Sequence, residues 1–294
     1  MSFATVNGIR IAYEEYGDKG APAVLMIQGL GMPLTGWPPS WRQYMAKAGF
    51  RVICPDNRDA GKSDCFDQFG VPAMLDILKC SLFNARIRSA YKLKDMATDA
   101  VGVLDHLGVE KAHVIGVSMG GMIAQRIAIH YPERMLSLTP IMTMTGDRQM
   151  PHPSLKVKWR LISQPSHGDR QSMMKHSEKL WRTIGSPDYP ASDEDLKAYI
   201  NSLLDRGTHP KGAARQLAAI LSENDRSPLL KKLNVPTLVI HGEADPLVPV
   251  SCGKQLAEKI PGAKLHIEPG MGHDFPVLLE EKMLRLITEH LKAS

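Results

Sequence analysis

The sequence predicts an α/β protein: a mostly parallel central sheet flanked by helices, with a helical cap. Three observations predict it. Short apolar runs alternate with amphipathic stretches of helix length, which is the pattern of strand–helix–strand units. Most of these runs are apolar throughout, as strands buried on both faces are. The alternation then stops between residues 146 and 227, where helical patches occur without a convincing strand.

The elements follow in order. Val6, the Asn7-Gly8 pair and the alternating Ile9-Arg10-Ile11-Ala12-Tyr13-Glu14 make a hairpin signal. Ala23-Val24-Leu25-Met26-Ile27, Arg51-Val52-Ile53-Cys54, the stretch from Ala112 to Val117 and that from Leu136 to Ile141 read as buried strands. Two more runs, Thr237 to His241 and Ala263 to Ile267, come late in the chain. Helices are expected at Trp41 to Lys47, Leu93 to Leu107, Gly121 to Ile129, Cys252 to Ile260 and Glu280 to Leu291. In the interrupted region they are expected at Ser172 to Ile184, Asp193 to Leu204 and Gly212 to Leu221. This divides the chain into a core of residues 1–145 and 228–294 and an inserted helical cap, residues 146–227.

Composition narrows the class. With 294 residues, 43% hydrophobic and 23% charged, the chain has ample material for a core without staples. The net charge of +5 comes from scattered basic residues, which read as a solvated surface rather than a nucleic-acid footprint. Cys54, Cys65, Cys80 and Cys252 have no metal or disulfide-framework spacing. The first residues lack a basic segment followed by an apolar one, and no run of about 18 apolar residues occurs. A reduced, cytoplasmic enzyme that binds neither membrane nor nucleic acid is expected, with homo-oligomer formation left open.

The chemistry is carried by Gly116-Val117-Ser118-Met119-Gly120-Gly121, placed after an apolar strand and opening a helix. Composition alone would produce G-x-S-x-G about one time in ten, so the context matters. A turn that tight leaves no room for side chains two residues either side, and Gly116 and Gly120 meet that need. Ser118 then stands exposed at the strand's carboxyl end, as a nucleophile. A serine hydroxyl attacks only when a base removes its proton, and that base needs an orienting carboxylate. Asp245 lies just beyond one late strand and His273 just beyond the next, in the order Ser, Asp, His. Glu243 is the rival carboxylate, expected to point elsewhere. The oxyanion of the intermediate needs two donors: the Met119 amide, and that of Leu30 in Gln28-Gly29-Leu30-Gly31, where Gly29 permits a sharp turn.

These motifs, with Asp56-Asn57-Arg58-Asp59-Ala60-Gly61-Lys62-Ser63 between them, resemble those of the α/β-hydrolase superfamily over essentially the whole chain. The Gly-rich turn, the Arg-Asp-x-Gly-x-Ser variant and Gly36-Trp37-Pro38 are similar to the aclacinomycin methylesterase group, and to cofactor-free haloperoxidase and lactonase neighbours. The resemblance implies a serine hydrolase acting on carboxylic esters. Two positions depart from the superfamily pattern: Gln28 stands where histidine is usual, and Asp59 where the first glycine of Arg-Gly-x-Gly-x-Ser is usual. Neither removes a backbone donor. Arg58 and Asp56 are expected to pair structurally beneath the site.

Two segments are candidates for setting specificity. Residues 71–88 read either as a short helix packed on the core surface or as a flap at the pocket entrance. Met142, Met144, Met150, Trp159, Met173, Met174 and Trp181 suit a pocket for an apolar or bulky small-molecule ester. No cofactor and no metal are expected, since no His-x-x-x-His pair or carboxylate cluster offers a coherent site. Perhydrolysis, lactone or C–C bond cleavage would use the same residues; a non-catalytic receptor on the fold would have the site retained or decayed, and the filled triad positions argue for catalysis. Dehalogenase and epoxide-hydrolase chemistry would require aspartate in place of Ser118.

Overall fold

The computed structural model describes every residue except Asn84, Gln164 and Ser166, and only the backbone at residues 74, 78 and 81–83. Eight strands among the described residues form one sheet: β1 Ser2–Val6, β2 Ile9–Tyr16, β3 Ala23–Ile27, β4 Arg51–Pro55, β5 Ala112–Val117, β6 Met135–Ile141, β7 Leu238–Gly242 and β8 Lys264–Glu268. Their order is β1-β2-β4-β3-β5-β6-β7-β8. The first hairpin turns through Asn7 and Gly8 at φ 50 and 77, the left-handed pair that matches strand twist. From β4 across to β8 every pairing is parallel.

The order has a consequence for the site. The connection from β3 leads to β4 on one side and that from β4 crosses back to β5 on the other, so the carboxyl ends of β3 and β5 border a crevice at a switch point. The pairing of Ile27 with Gly116 brings the turn after β3 level with the residue after β5.

Helices cover both faces. Helix α1 spans Pro39–Lys47, α2 Met74–Phe83, α3 Leu93–His106 and α4 Met119–His130. Beyond β6 come α5 Leu155–Ile162, α6 Arg170–Ile184, α7 Asp193–Arg206, α8 Pro210–Leu221 and α9 Ser227–Leu230, then α10 Val250–Lys259 and α11 Glu280–Lys292. The apolar stripes of α3, α4 and α10 bury against one face of the sheet, and those of α1 and α11 against the other. On α11 the stripe is Met283, Leu284, Ile287 and Leu291, all buried at helical spacing. Each such side chain stabilises the layer by roughly 1.5–3 kcal/mol relative to exposure.

Helices α5 to α9 fill the interval between β6 and β7, with no strand among its described residues. Ser154, Asp169 and Ser192 cap α5, α6 and α7 by accepting from backbone amides. Helix α5 carries Lys156, Lys158 and Arg160 among its apolar residues and α9 has only four residues, so neither gave a clear period in the sequence. Helix α2 lies within the 71–88 segment, of which Asn84 is outside the described residues. Its Ile77 and Cys80 bury with Ala218 of α8, so it packs against the helical interval rather than the sheet.

Candidate active site

A single residue, Ser118, makes the turn from β5 into α4. Its backbone is held at φ 54 and ψ −118, a region that costs a non-glycine residue about 1–3 kcal/mol. The surrounding bonds hold it there: its amide donates to Ile141 O at 2.9 Å, and its carbonyl accepts from Thr143 Oγ1 at 2.7 Å. A Cβ on Gly116 would collide with the Gly120 carbonyl, and one on Gly120 with that of Ile27. The strained turn keeps the Ser118 side chain at the wall of a cavity.

Asp245 follows β7 and is 5% exposed. Its Oδ1 accepts from the Leu247 and Val248 amides, each at 2.8 Å, and its Oδ2 lies 2.6 Å from His273 Nδ1. A carboxylate only accepts, so Nδ1–H is the donor and His273 Nε2 is left as the basic atom. Beneath this pair lies His241, its Nε2 2.8 Å from Val248 O and 3.6 Å from Asp245 Oδ2. Burial pushes the His241 ring below its ordinary pKa, against the pull of Asp245. Glu243 is exposed.

His273 sits on the same cavity wall as Ser118. Among the described residues no hydrogen bond joins the two side chains. The loop carrying His273 is stitched to the end of α6: the His273 amide donates to Ile184 O at 2.7 Å, and that of Gly272 to Ser186 Oγ at 2.8 Å. Ser186 in turn donates to Asp274 Oδ1 at 2.5 Å. Burial pushes the Asp274 carboxyl above its ordinary range, against the two bonds from Ser186.

The turn after β3 approaches Ser118 closely, because a Cβ on Gly29 would lie 3.3 Å from Ser118 Cβ. Three of its four amides are engaged. Gly29 donates to Gln28 Oε1 at 3.1 Å, Gly31 to Gln216 Oε1 at 2.6 Å and Met32 to Gly29 O at 3.2 Å. Among the described residues the Leu30 amide alone in this turn has no acceptor. Met119 begins α4, and the first amides of a helix have no acceptor within it. Gln28, in the place of the usual histidine, thus serves the turn by bonding its neighbour's amide and by accepting from Asn57 Nδ2 through its carbonyl at 2.9 Å.

The loop after β4 corrects one expectation: Asp56 and Arg58 do not pair with each other. Arg58 forks onto Asp99 at 2.6 and 2.7 Å, while Asp56 binds Arg206 of α7 and the Leu34 amide. Asp59 takes φ 66, the conformation that explains why glycine is common there. Its carboxylate meets Arg215 of α8 at 2.6 and 2.9 Å, and accepts from Tyr91 and the Phe66 amide. Burial pushes the Asp59 carboxyl up, but these bonds outweigh it and hold it below the ordinary range.

The cavity has a volume of about 490 Å³ and a mostly apolar lining. Met142, Met144, Trp159 and Trp181 line it as anticipated, and Met32 and Met122 do so without having been anticipated. Met173 lines an adjoining cavity of about 550 Å³, which shares Leu30, Ile77 and Leu217 with the first. Neither cavity is lined by Met150 or Met174. Ile77 of α2 reaches both. Lys158 is the one lysine or arginine on the wall of the first cavity among the described residues. No helix among the described residues is long and apolar enough to cross a membrane.

Comparison with known proteins places these features in a family. Residues 22–278 match the family model for the alpha/beta hydrolase fold. Over 310 residues the chain is 27% identical to rhodomycin D methylesterase DauP of Streptomyces sp. (strain C5), covering 99% of this chain and 97% of the relative. It is 31% identical, over 96% of this chain and 91% of the relative, to the 2-hydroxy-6-oxononadienedioate/2-hydroxy-6-oxononatrienedioate hydrolase of Paraburkholderia xenovorans (strain LB400). Among solved structures, the enol-lactonase of Burkholderia xenovorans LB400 superposes with a TM-score of 0.76 at 22% identity, over 99% of this chain and 100% of the other, a likeness of fold. The chain is a hydrolase-fold protein and belongs to the α/β-hydrolase family.

Proposed function

We propose that the chain is a serine hydrolase that cleaves carboxylic esters of apolar or bulky small molecules through an acyl-enzyme. The observation that carries this reading is the meeting, on one cavity wall, of a strained Ser118 and a His273 whose Nδ1 is engaged by buried Asp245. Ser118 Oγ attacks the ester carbonyl while His273 Nε2 takes its proton. The resulting oxyanion is held by the Leu30 and Met119 amides, each worth roughly 3 kcal/mol of barrier. Collapse breaks the C–O bond, and His273 returns its proton to the departing alcohol. Water, deprotonated by His273, then attacks the acyl carbon; the acid leaves and Ser118 Oγ recovers its proton.

The lining supports an uncharged acyl group. A substrate with two carboxylates, such as the one named for the Paraburkholderia relative, would bring its charges against a wall rich in methionine, leucine and tryptophan, with Lys158 its one lysine or arginine. An ester of the kind named for the Streptomyces relative fits such a wall better. In this reading residues 146–227 act as a cap, since α5 to α8 supply much of the wall opposite Ser118.

The test is hydrolysis of p-nitrophenyl esters from acetate to laurate, with fluorophosphonate labelling. Ser118→Ala is expected to abolish labelling and lower kcat by about 10⁴-fold or more. Retention of activity in that variant, or a wild-type chain that takes no label, would overturn the reading.

A further inference from the structure

We propose that Gln216 of α8 is the positioning residue of the oxyanion turn; the inference rests on the reading of the Leu30 amide as an oxyanion donor. Such a donor accelerates the reaction only if it is aimed before charge develops on the substrate oxygen. A turn of four successive amides presents one of them to a ligand when the other three are occupied. Gly29 and Met32 find local acceptors in Gln28 and Gly29. Gly31 has none nearby, and takes an acceptor 185 residues away, Gln216 Oε1 at 2.6 Å.

The Gly31 amide belongs to the peptide plane that follows Leu30. Fixing that plane fixes ψ of Leu30, and the Met32 to Gly29 bond closes the turn behind it. Gln216 is itself pinned at both ends of its amide, since its Nε2 donates to Arg58 O at 2.7 Å. It is fully buried and is absent from the cavity wall, so it acts through Gly31 and not on substrate.

Its helix cannot slide relative to the turn. A Cβ on Gly31 would lie 3.0 Å from Ala213 Cβ, and one on Gly212 would run into the Asp59 carbonyl. One residue before Gln216, Arg215 grips Asp59 in the buried pair already described. The substituted position in the β4 loop and the oxyanion turn are therefore coupled through two adjacent residues of α8. Asp59 docks the helix, and the docked helix aims the turn.

The experiment compares Gln216→Met, which keeps length and removes the acceptor, with Gln216→Glu. The glutamate carboxyl keeps an acceptor for Gly31 and, where burial keeps it protonated, a donor for Arg58 as well. Q216M is expected to lower kcat about 10–100-fold with KM within about threefold, because an interaction made in the transition state is lost. Its affinity for a trifluoromethyl ketone, which forms a tetrahedral adduct, is expected to fall by the same factor as kcat/KM. Exchange of the Gly31 amide with solvent is expected to accelerate roughly tenfold or more relative to the β3 amides. Q216E is expected to restore both kcat and protection. Unchanged kcat in Q216M, or a change confined to KM, overturns the inference. Should Q216M fail to fold, Q216E decides: a protected Gly31 amide supports the inference and a freely exchanging one overturns it. A wild-type chain without esterase activity or labelling would instead overturn the hydrolase reading, while exchange at Gly31 still reports on the Gln216 bond.

Discussion

Ser118, Asp245 and His273 stand one, three and five residues beyond the parallel strands that end at Val117, Gly242 and Glu268. Arg206, Arg215, Gln216 and Ser186 stand on or beside the helices between β6 and β7, far from the loops they hold. The first group is positioned by short connections from a stiff sheet, with the His273 loop tied in addition to the end of α6. The second group acts at a distance, through buried ion pairs and amide bonds. The difference teaches that the wall over the site is also a brace: it holds the turn after β3 through Gln216 and the His273 loop through Ser186.

Breaking the sheet-end group should remove chemistry and leave stability. Asp245→Asn is expected to lower kcat by about 10⁴-fold, because the His273 tautomer loses its partner. An amide side chain still accepts from the Leu247 and Val248 amides, so Tm should barely move. A kcat within tenfold of wild type would mean that Asp245 does not orient the base. Stopped-time assays with thermal melts on the same sample separate the two effects.

Breaking the ion pairs of the brace should cost stability. Arg215→Met leaves the fully buried Asp59 carboxylate without its cation, a loss of about 3–5 kcal/mol measured by urea unfolding. Adding Asp59→Asn should recover part of that loss, since the stranded charge is gone. If the double variant is no more stable than the single one, the pair does not couple α8 to the β4 loop.

The smallest effect concerns a buried polar group remote from both. Burial, aided by neighbouring His290, pushes His113 down to about 4 from its ordinary 6.5. The unfolded chain therefore binds a proton below pH 6.5 that the folded chain refuses until about pH 4. Stability from this group is intact above pH 6.5 and is lost as pH falls through that interval. His113→Asn should flatten that part of a Tm-against-pH curve without altering kcat. A curve of unchanged slope would show that other groups govern the acid limb.

How much of this was legible beforehand follows from range. The strand runs, the stripe on α11 and the Gly116–Gly120 elbow are local patterns, and apart from β1, of which only Val6 was legible, each appears in the structure within a residue or two of its expected bounds. Gln216 carried no comparable signal, because a glutamine on an amphipathic helix ordinarily faces water. Only the small residues Gly212, Ala213 and Ala214 hinted that one face of α8 would approach another backbone closely. The pairing of Arg58 with Asp99 and of Asp56 with Arg206 was likewise hidden, since adjacent residues in one loop can choose partners from any element packed above it.

By itself the sequence determined the strands, most of the helices and the turn at which Ser118 must stand, because backbone geometry and burial period act over a few residues. Tertiary structure alone decided which amide of the turn after β3 stays free, which carboxylate each arginine meets and which methionines reach the cavity. The polar choices depend on which groups are stranded when helices close over the sheet, and burial drives most of them to a partner wherever in the chain it lies.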